Sequence, residues 1–204
     1  MIKIENISVY NIARAVYSSR NALNSWDKSD SDLEHDILGE KDLDLARRLY
    51  KAGAEHRKYM RQIFVTMDIT TNQTLWGQLD TYKVGTTKNS CSKMHRIHVK
   101  PFTGNDFSCE GIEEVGGIAN AHYEETIKVL NHLRNAYNNT HEKKYWRAMI
   151  ELLPMGYELK ATVTMNYENV ANIINQRSGH KMYEWNMLIA ELKKLPYITE
   201  IMGD

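Results

Sequence analysis

A chain of 204 residues with 26 basic and 26 acidic side chains carries no net charge at neutral pH. This balance argues against a nucleic-acid or membrane partner, so function must come from a local site. No apolar run approaches the roughly 20 residues of a membrane span. Two cysteines are too few for a disulfide framework. We therefore expect one cytoplasmic domain spanning residues 1–204.

The first third of the chain predicts a strand followed by two helices. Residues 2–7 alternate weakly between apolar and polar side chains, and residues 11–23 place apolar side chains on one helical face. Residues 25–36 are acidic and turn-rich, which predicts a loop. Residues 40–52 begin with acids and end with bases before Gly53, a pattern typical of a helix with a glycine C-cap.

The centre of the chain combines a strand with a polar segment. Residues 61–70 alternate between apolar and polar side chains and predict a half-buried strand. Asn72 is placed to cap a short helix that runs through Leu79. Residues 81–95 lose this periodicity and are rich in hydroxyl, amide and lysine side chains. They predict a loop that suits an anionic ligand, with a solvated surface loop as the alternative.

The second half of the chain is mainly helical. Glycine and proline interrupt residues 98–117, which predicts an irregular connection. Helices are predicted at residues 118–137, 140–153, 168–176 and 180–195. Thr140 is the expected N-cap of the second of these helices. A further strand is predicted at residues 157–166, so the sequence indicates an α/β or α+β fold with a small sheet.

A series of matches between residues 147 and 196 resembles the flavin-dependent thymidylate synthase family. The matching residues are, in order, Leu153, Pro154, Thr164, Asn166, Asn172, Arg177 and Glu184. His56 lies where this family has a histidine before its central strand. The resemblance covers most of residues 56–195. It implies an α+β fold in which long helices flank a small antiparallel or mixed sheet.

The family's signature motif, R-H-R-x-x-S-x-N-E-x-S-x-R-Y, falls on residues 81–94 with most functional letters changed. The residues at those letters are here Thr81, Tyr82, Lys83, Asn89, Cys91, Lys93 and Met94. An offset of one residue would pair the second signature serine with Ser90 or Ser92. The family's arginine before Leu-Pro is replaced by Ile150, and Arg147 lies nearly one turn earlier.

The resemblance implies an enzyme that methylates deoxyuridine monophosphate (dUMP) or a related pyrimidine nucleotide. FAD would be its cofactor, methylenetetrahydrofolate its carbon donor and NADPH its reductant. The enzyme would be a homotetramer whose sites combine residues from several subunits.

The same resemblance implies roles for individual residues. Arg177 is implied to be catalytic, because a guanidinium can donate two parallel hydrogen bonds to a uracil edge. An arginine that interacts with a helix dipole is the alternative. The residues implied to bind the nucleotide are Asn89, Ser90, Cys91, Ser92, Lys93 and Arg147. Those implied to bind FAD are His56, Thr81, Tyr82, Lys83, Asn166 and Asn172. For Asn166 and Asn172 the alternative is a hydrogen bond to backbone groups at a strand exit and in a helix.

The altered signature leaves other functions open. One is a flavoenzyme that modifies another pyrimidine nucleotide or uses another one-carbon donor. Another is a non-catalytic nucleotide-binding relative that has lost its flavin site. Cys91 is either an ordinary thiol or, if it faces the pyrimidine near Lys93, a thiolate that adds to the ring. A zinc site built from Cys91, His95 and His98, with Cys109 further on, fits none of the common zinc spacings. An RNA-binding module lacks the usual aromatic and basic motifs.

Overall fold

The computed structural model describes residues 2–203, which form two compact units. Unit 1 contains residues 2–3, 70–80 and 89–161. Unit 2 contains residues 4–69, 81–88 and 162–203. Among residues 2–203, no helix combines the length and the apolar character that crossing a bilayer requires.

Four strands form one antiparallel sheet in the order β1-β2-β4-β3. They are β1 (Lys3–Tyr10), β2 (Phe64–Asn72), β3 (Thr86–Ser90) and β4 (Glu158–Asn166). Strands β1, β2 and β4 confirm the strands expected from alternating apolar residues. The loop prediction for residues 81–95 is wrong, because this segment contains β3. Strand β3 is a polar edge strand with mostly exposed side chains, so it lacks the apolar alternation that predicts a half-buried strand.

The helices of the described residues account for most of the remaining chain. They are α1 (Ile12–Ser18), α2 (Glu40–Ala52), α3 (Gln73–Leu79), α4 (Lys93–Arg96), α5 (Glu110–Val115), α6 (Gly117–Thr140), α7 (Lys143–Leu152), α8 (Tyr167–Arg177), α9 (Tyr183–Leu192) and α10 (Ile198–Met202). The Asn72 side chain caps α3 as predicted, since it accepts a hydrogen bond from the Leu75 backbone N–H at 2.9 Å. Helix α4 begins inside the predicted loop, α5 lies inside the connection at residues 98–117 that was predicted to be irregular, and α10 was not predicted.

The boundary between α6 and α7 differs from the prediction. Thr140 is the last residue of α6 rather than the N-cap of α7. His141 then adopts a left-handed backbone with φ of 56°, which ends α6. Glu142 is the N-cap residue of α7. A histidine in this conformation is uncommon, and no glycine at position 141 marks the end of α6 in the sequence.

Each unit has its own apolar core. In unit 2, the β2 residues Val65, Met67 and Ile69 are no more than 1% exposed, and Trp185 on α9 is fully buried. Helix α8 packs against α9 in the same unit. In unit 1, the core residues are Ile97, Phe102, Phe107, Tyr123, Leu130 and Met149. Full burial of one such aliphatic side chain contributes about 1.5–3 kcal/mol, so these cores fix the helices that carry the polar side chains described next.

Candidate functional site

Arg177 is the last residue of α8 and is the centre of a small cluster in unit 2. Its Nε donates a hydrogen bond to the Tyr82 hydroxyl at 3.0 Å. Its guanidinium carbon lies 4.9 Å from the Trp185 ring centroid and 5.6 Å from the Tyr82 ring centroid, within the range of cation–π attraction. The Tyr82 hydroxyl in turn donates to Gln176 Oε1 at 3.0 Å. We call Tyr82, Gln176, Arg177 and Trp185 the Arg177 cluster.

The guanidinium of Arg177 keeps part of its hydrogen-bonding capacity. Arginine has five N–H donors, and here Nε is bound to Tyr82. The two Nη groups make no hydrogen bond with any side chain or backbone group of residues 2–203. Arg177 is also half-buried, which limits competition from water. A helix-dipole contact alone would not require the two flanking aromatic rings, so the cluster favours an arginine held for recognition.

Asn169 on α8 holds the segment that precedes and begins β3. Its Nδ2 lies within hydrogen-bonding distance of three oxygen atoms, which share its two hydrogens. They are the carbonyl oxygens of Tyr82 (3.3 Å) and Val84 (2.6 Å) and the Thr86 hydroxyl (2.8 Å). Only 8% of Asn169 is exposed. This residue was not predicted from the sequence. Its spacing of three residues after Asn166, at the start of a helix, is the available signal, because that spacing brings it beside the cap.

Asn166 has the structural function that was the alternative to FAD binding. Its Oδ1 accepts a hydrogen bond from the Asn169 backbone N–H at 2.9 Å, so Asn166 is the N-cap of α8. Gly85 passes close to the same side chain with φ of +74°, and a Cβ there would lie 2.2 Å from Asn166 Nδ2. A glycine is therefore required at position 85. Asn172 lies further along α8 and is half-buried.

The other residues predicted to bind FAD lie at the surface of unit 2. Thr81 and Lys83 flank Tyr82 and are exposed. His56 is also exposed, and its backbone N–H donates to the Gly53 carbonyl oxygen at 3.1 Å. Of the six predicted FAD residues, the structure brings only Tyr82 into hydrogen-bonding contact with Arg177.

Unit 1 contains a cationic cavity of about 550 Å³. Its basic lining residues are Lys3, Lys93, Arg96, Lys100 and Lys160, and its acidic ones are Asp106 and Glu158. We call this cavity the lysine pocket. Cys91, Ser92 and Lys93, three of the predicted nucleotide-binding residues, also line it. Positive side chains exceed negative ones here, so the pocket suits an anion.

Local hydrogen bonds set the shape of the lysine pocket. The Cys91 backbone N–H donates to the Lys160 carbonyl oxygen at 2.9 Å. Ser92 caps α4, because its hydroxyl oxygen accepts from the His95 backbone N–H at 3.2 Å. The Lys93 ammonium donates a hydrogen bond to the side-chain oxygen of Gln73. Because Gln73 is neutral, this contact does not compensate the positive charge of Lys93. Lys93 and Arg96 were both expected from the sequence to supply charge for an anionic ligand, whereas Lys100 was not predicted.

One ion pair in the lysine pocket shifts the pKa values of both partners. Lys100 Nζ lies 2.6 Å from Asp106 Oδ1. The hydrogen bond with the Asp106 carboxylate raises the pKa of Lys100. Burial alone would raise the pKa of Asp106. Hydrogen bonds from Lys100 and from Thr103 outweigh that effect, so the pKa of Asp106 lies below its ordinary value. Asp106 is therefore ionised at neutral pH and neutralises Lys100.

The remaining predicted nucleotide-binding residues lie outside the pocket lining. Asn89 and Ser90 are exposed on β3. Arg147 is exposed on α7 and forms an ion pair with Glu151, with Nε 2.7 Å from Oε1. Within residues 2–203, no group of three or more His, Cys, Asp or Glu side chains is arranged to hold a metal ion. The zinc alternative at Cys91 and His95 therefore finds no support.

The sheet order and the flanking helices make this an α+β protein with the fold of the flavin-dependent thymidylate synthases. The crystal structure of thymidylate synthase X (ThyX) from Helicobacter pylori with FAD and dUMP superposes with a TM-score of 0.69. It is 16% identical and covers 98% of this chain and 95% of that chain. A second structure of ThyX from Helicobacter pylori, complexed with FAD and dUMP, is 15% identical with a TM-score of 0.68, over 98% of this chain and 96% of that one.

These likenesses confirm the fold that the resemblance predicted. No protein-family model matches the sequence, and no curated protein matches it. At this sequence identity the likeness shows the fold alone, because one fold can support many different functions.

Proposed function

We propose that this protein is a flavin-dependent enzyme that methylates a pyrimidine deoxynucleotide, with dUMP as the expected nucleotide and FAD as the cofactor. The fold shared with structures that contain FAD and dUMP supports this. The observation that carries the proposal is Arg177, held by Tyr82 and Trp185 with both Nη groups unused by residues 2–203. Arg177 is also the residue that the sequence resemblance implies to be catalytic.

Arg177 would act on the pyrimidine ring by donating hydrogen bonds from its Nη groups. Methylation at C5 requires electron density to shift onto the ring acceptors, and a fixed cation stabilises that charge. Contacts with Tyr82 and Trp185 hold the guanidinium before the nucleotide arrives. A guanidinium held in this way loses less conformational entropy on binding than a mobile side chain.

The donors on unit 2 are chemically suited to FAD. Lys83 offers a positive charge for a diphosphate, and Thr81, His56 and Asn172 offer hydroxyl, imidazole and amide groups. Asn166 retains its Nδ2 donor, since only its oxygen caps α8. Bound FAD would supply the hydride that completes the methyl group, with methylenetetrahydrofolate as carbon donor and NADPH as reductant.

The lysine pocket of unit 1 would bind a phosphate group. Lys93 offers a point charge, and the Ser92 hydroxyl can donate while its oxygen caps α4. Asn89, Ser90, Cys91 and Arg147 remain candidate nucleotide contacts within this proposal. A homotetramer whose sites combine residues from several subunits is a further part of it.

A flavin-free nucleotide-binding protein is the second candidate function. Two signature arginines are replaced by Thr81 and Lys83, and the Tyr82 hydroxyl is bound within the Arg177 cluster. Flavin absorbance of the purified protein, before and after incubation with FAD, tests the choice. The proposed enzyme binds FAD and shows a visible flavin spectrum. A protein that binds dUMP but never acquires flavin would be the binding module instead.

A further inference from the structure

We propose that Gln73 positions the Lys93 ammonium in the lysine pocket, so that this lysine meets a phosphate group with its positive charge intact. The inference rests on the part of the proposed function in which the lysine pocket binds a phosphate group. It goes further because it assigns a role to Gln73, which does not line the pocket and acts through Lys93. Both residues belong to unit 1.

The orientation of the Gln73 side chain is fixed at both atoms of its amide group. The Lys93 ammonium can only donate, so the amide atom that faces it must be Oε1. The other amide atom, Nε2, donates to the Pro154 carbonyl oxygen at 3.3 Å. A flipped amide would place a donor against the ammonium and an acceptor against the carbonyl oxygen. The two contacts therefore select one orientation, in which the acceptor faces Lys93.

Backbone hydrogen bonds hold Gln73 in place as well. Gln73 is the first residue of α3, and its backbone N–H donates to the Met155 carbonyl oxygen at 3.0 Å. The Pro154 carbonyl oxygen also accepts from the Tyr157 backbone N–H at 3.0 Å, so its position does not depend on Gln73 alone. Gln73 thus joins the start of α3 to the segment between α7 and β4.

Gln73 holds Lys93 without neutralising it. An ammonium has three N–H donors. Gln73 accepts one of them, and the other two make no hydrogen bond with any group of residues 2–203. The same pocket contains the opposite case, because the Lys100 ammonium is paired with the Asp106 carboxylate. A phosphate group would have to compete with Asp106 for Lys100, whereas the partner of Lys93 is a neutral amide.

A lysine that is held before the ligand arrives binds more tightly. Its side chain is long and flexible, and fixing it at the moment of binding costs conformational entropy. Lys93 is half-buried and is already held by Gln73. Removing the Gln73 amide should therefore weaken phosphate binding, although the charge of the pocket stays the same.

Phosphorus NMR titration of the full-length protein with inorganic phosphate tests this role. Gln73→Leu removes the amide and keeps all five basic side chains, so the phosphate affinity should fall about threefold to tenfold. The salt dependence of binding should match that of the wild type, because no charge is lost. Gln73→Glu places a carboxylate against Lys93. Its phosphate affinity should fall about tenfold, and its binding should depend less on salt.

Thr74→Glu is the matched control for the added charge. Thr74 is the next residue of α3 and is exposed, so a carboxylate there should change the phosphate affinity by about twofold at most. A double-mutant cycle shows whether Gln73 acts through Lys93. In a Lys93→Gln background, Gln73→Leu should cause no further loss of affinity, and Gln73→Glu should cause no more than Thr74→Glu does.

Full phosphate affinity in Gln73→Leu would overturn the inference, as would an equal loss with and without Lys93. A wild-type protein that binds no phosphate would overturn it too. Gln73→Glu keeps the size of the side chain, so it decides the matter if Gln73→Leu is too unstable to titrate. These titrations contain neither flavin nor a pyrimidine. Failure of the role of Gln73 is therefore distinguishable from failure of the proposed enzyme, which is judged by flavin binding and by methyl transfer.

Discussion

Asn169 Nδ2 lies 2.6 Å from the carbonyl oxygen of Val84, a residue whose own side chain is 83% exposed. A buried amide on α8 therefore fixes the backbone of a surface segment that has little apolar anchorage of its own. The same amide bonds to the Tyr82 carbonyl oxygen, two residues earlier. Asn169 therefore helps to hold the backbone of Tyr82, whose hydroxyl bonds to Arg177.

Asn169→Ala should destabilise unit 2 and loosen the Arg177 cluster. The substitution leaves the Tyr82 and Val84 carbonyl oxygens without this donor, which costs about 1–3 kcal/mol of unfolding free energy. Urea unfolding measures this loss. Asn172→Ala is the matched control, because Asn172 lies on the same helix and makes no side-chain hydrogen bond with residues 2–203. Equal shifts of the urea unfolding midpoints of the two variants would show that the Asn169 hydrogen bonds do not stabilise unit 2.

Gly85→Ala should be destabilising for two reasons. Gly85 has φ of +74°, and an added Cβ would meet Asn166 Nδ2 at 2.2 Å. Strain of this kind costs about 1–3 kcal/mol. Gly77→Ala is the opposite case, because Gly77 lies inside α3 with nothing within 4 Å of an added Cβ. It should stabilise the protein by about 0.5–1 kcal/mol. Thermal unfolding of both variants checks the contrast, and a neutral Gly85→Ala would contradict the strain at position 85.

The ion pair between Lys100 and Asp106 should make stability depend on pH at both ends of the scale. The pKa of Asp106 is lowered in the folded state, so its contribution is present above the unfolded pKa of about 3.9 and is lost as pH falls through the folded pKa. The pKa of Lys100 is raised, so its contribution is present below about pH 10.4 and is lost as pH rises through the folded pKa.

Asp106→Asn tests this linkage. At neutral pH it should lower the free energy of unfolding by about 1 kcal/mol, a modest value because the Lys100 side chain is 71% exposed. In acid the difference from the wild type should shrink, since the wild-type carboxylate is then protonated as well. Chemical denaturation at a series of pH values measures this difference. A difference that stays constant into acid would rule out the ion pair as its source.

Lys93→Gln should weaken the binding of nucleotide phosphate. Removing one of the five basic side chains of the lysine pocket should reduce affinity for dUMP severalfold at low salt, and less at high salt, where screening already weakens the attraction. Lys128→Gln is a suitable control, because Lys128 is a 72% exposed lysine of unit 1 that pairs with Glu125. Calorimetry at two salt concentrations gives the comparison. Equal affinities of the two variants for dUMP would show that the lysine pocket does not bind the nucleotide.

The sequence predicted the elements whose signals are local. Alternating apolar residues indicated β2 and β4, and Asn72 was correctly identified as the cap of α3. Strand β3 escaped because its residues are polar and mostly exposed. Pairing with β4 gives such a strand its structure, and no local pattern reports that pairing.

The candidate site was predicted only in part, for a similar reason. Arg177 was found through its place in a series of family matches. Its contact with Tyr82 joins residues 95 positions apart, a distance over which a single sequence gives no contact information. Asn166 caps α8, which was the structural alternative for this residue, and its role in FAD binding stays a prediction.

The most direct test of the proposed enzyme is tritium release from dUMP labelled at C5. Replacing the C5 hydrogen by a methyl group must release that label, so the protein with FAD, methylenetetrahydrofolate and NADPH should release tritium, and Arg177→Ala should not. Absence of tritium release by a protein that has bound FAD would contradict the account.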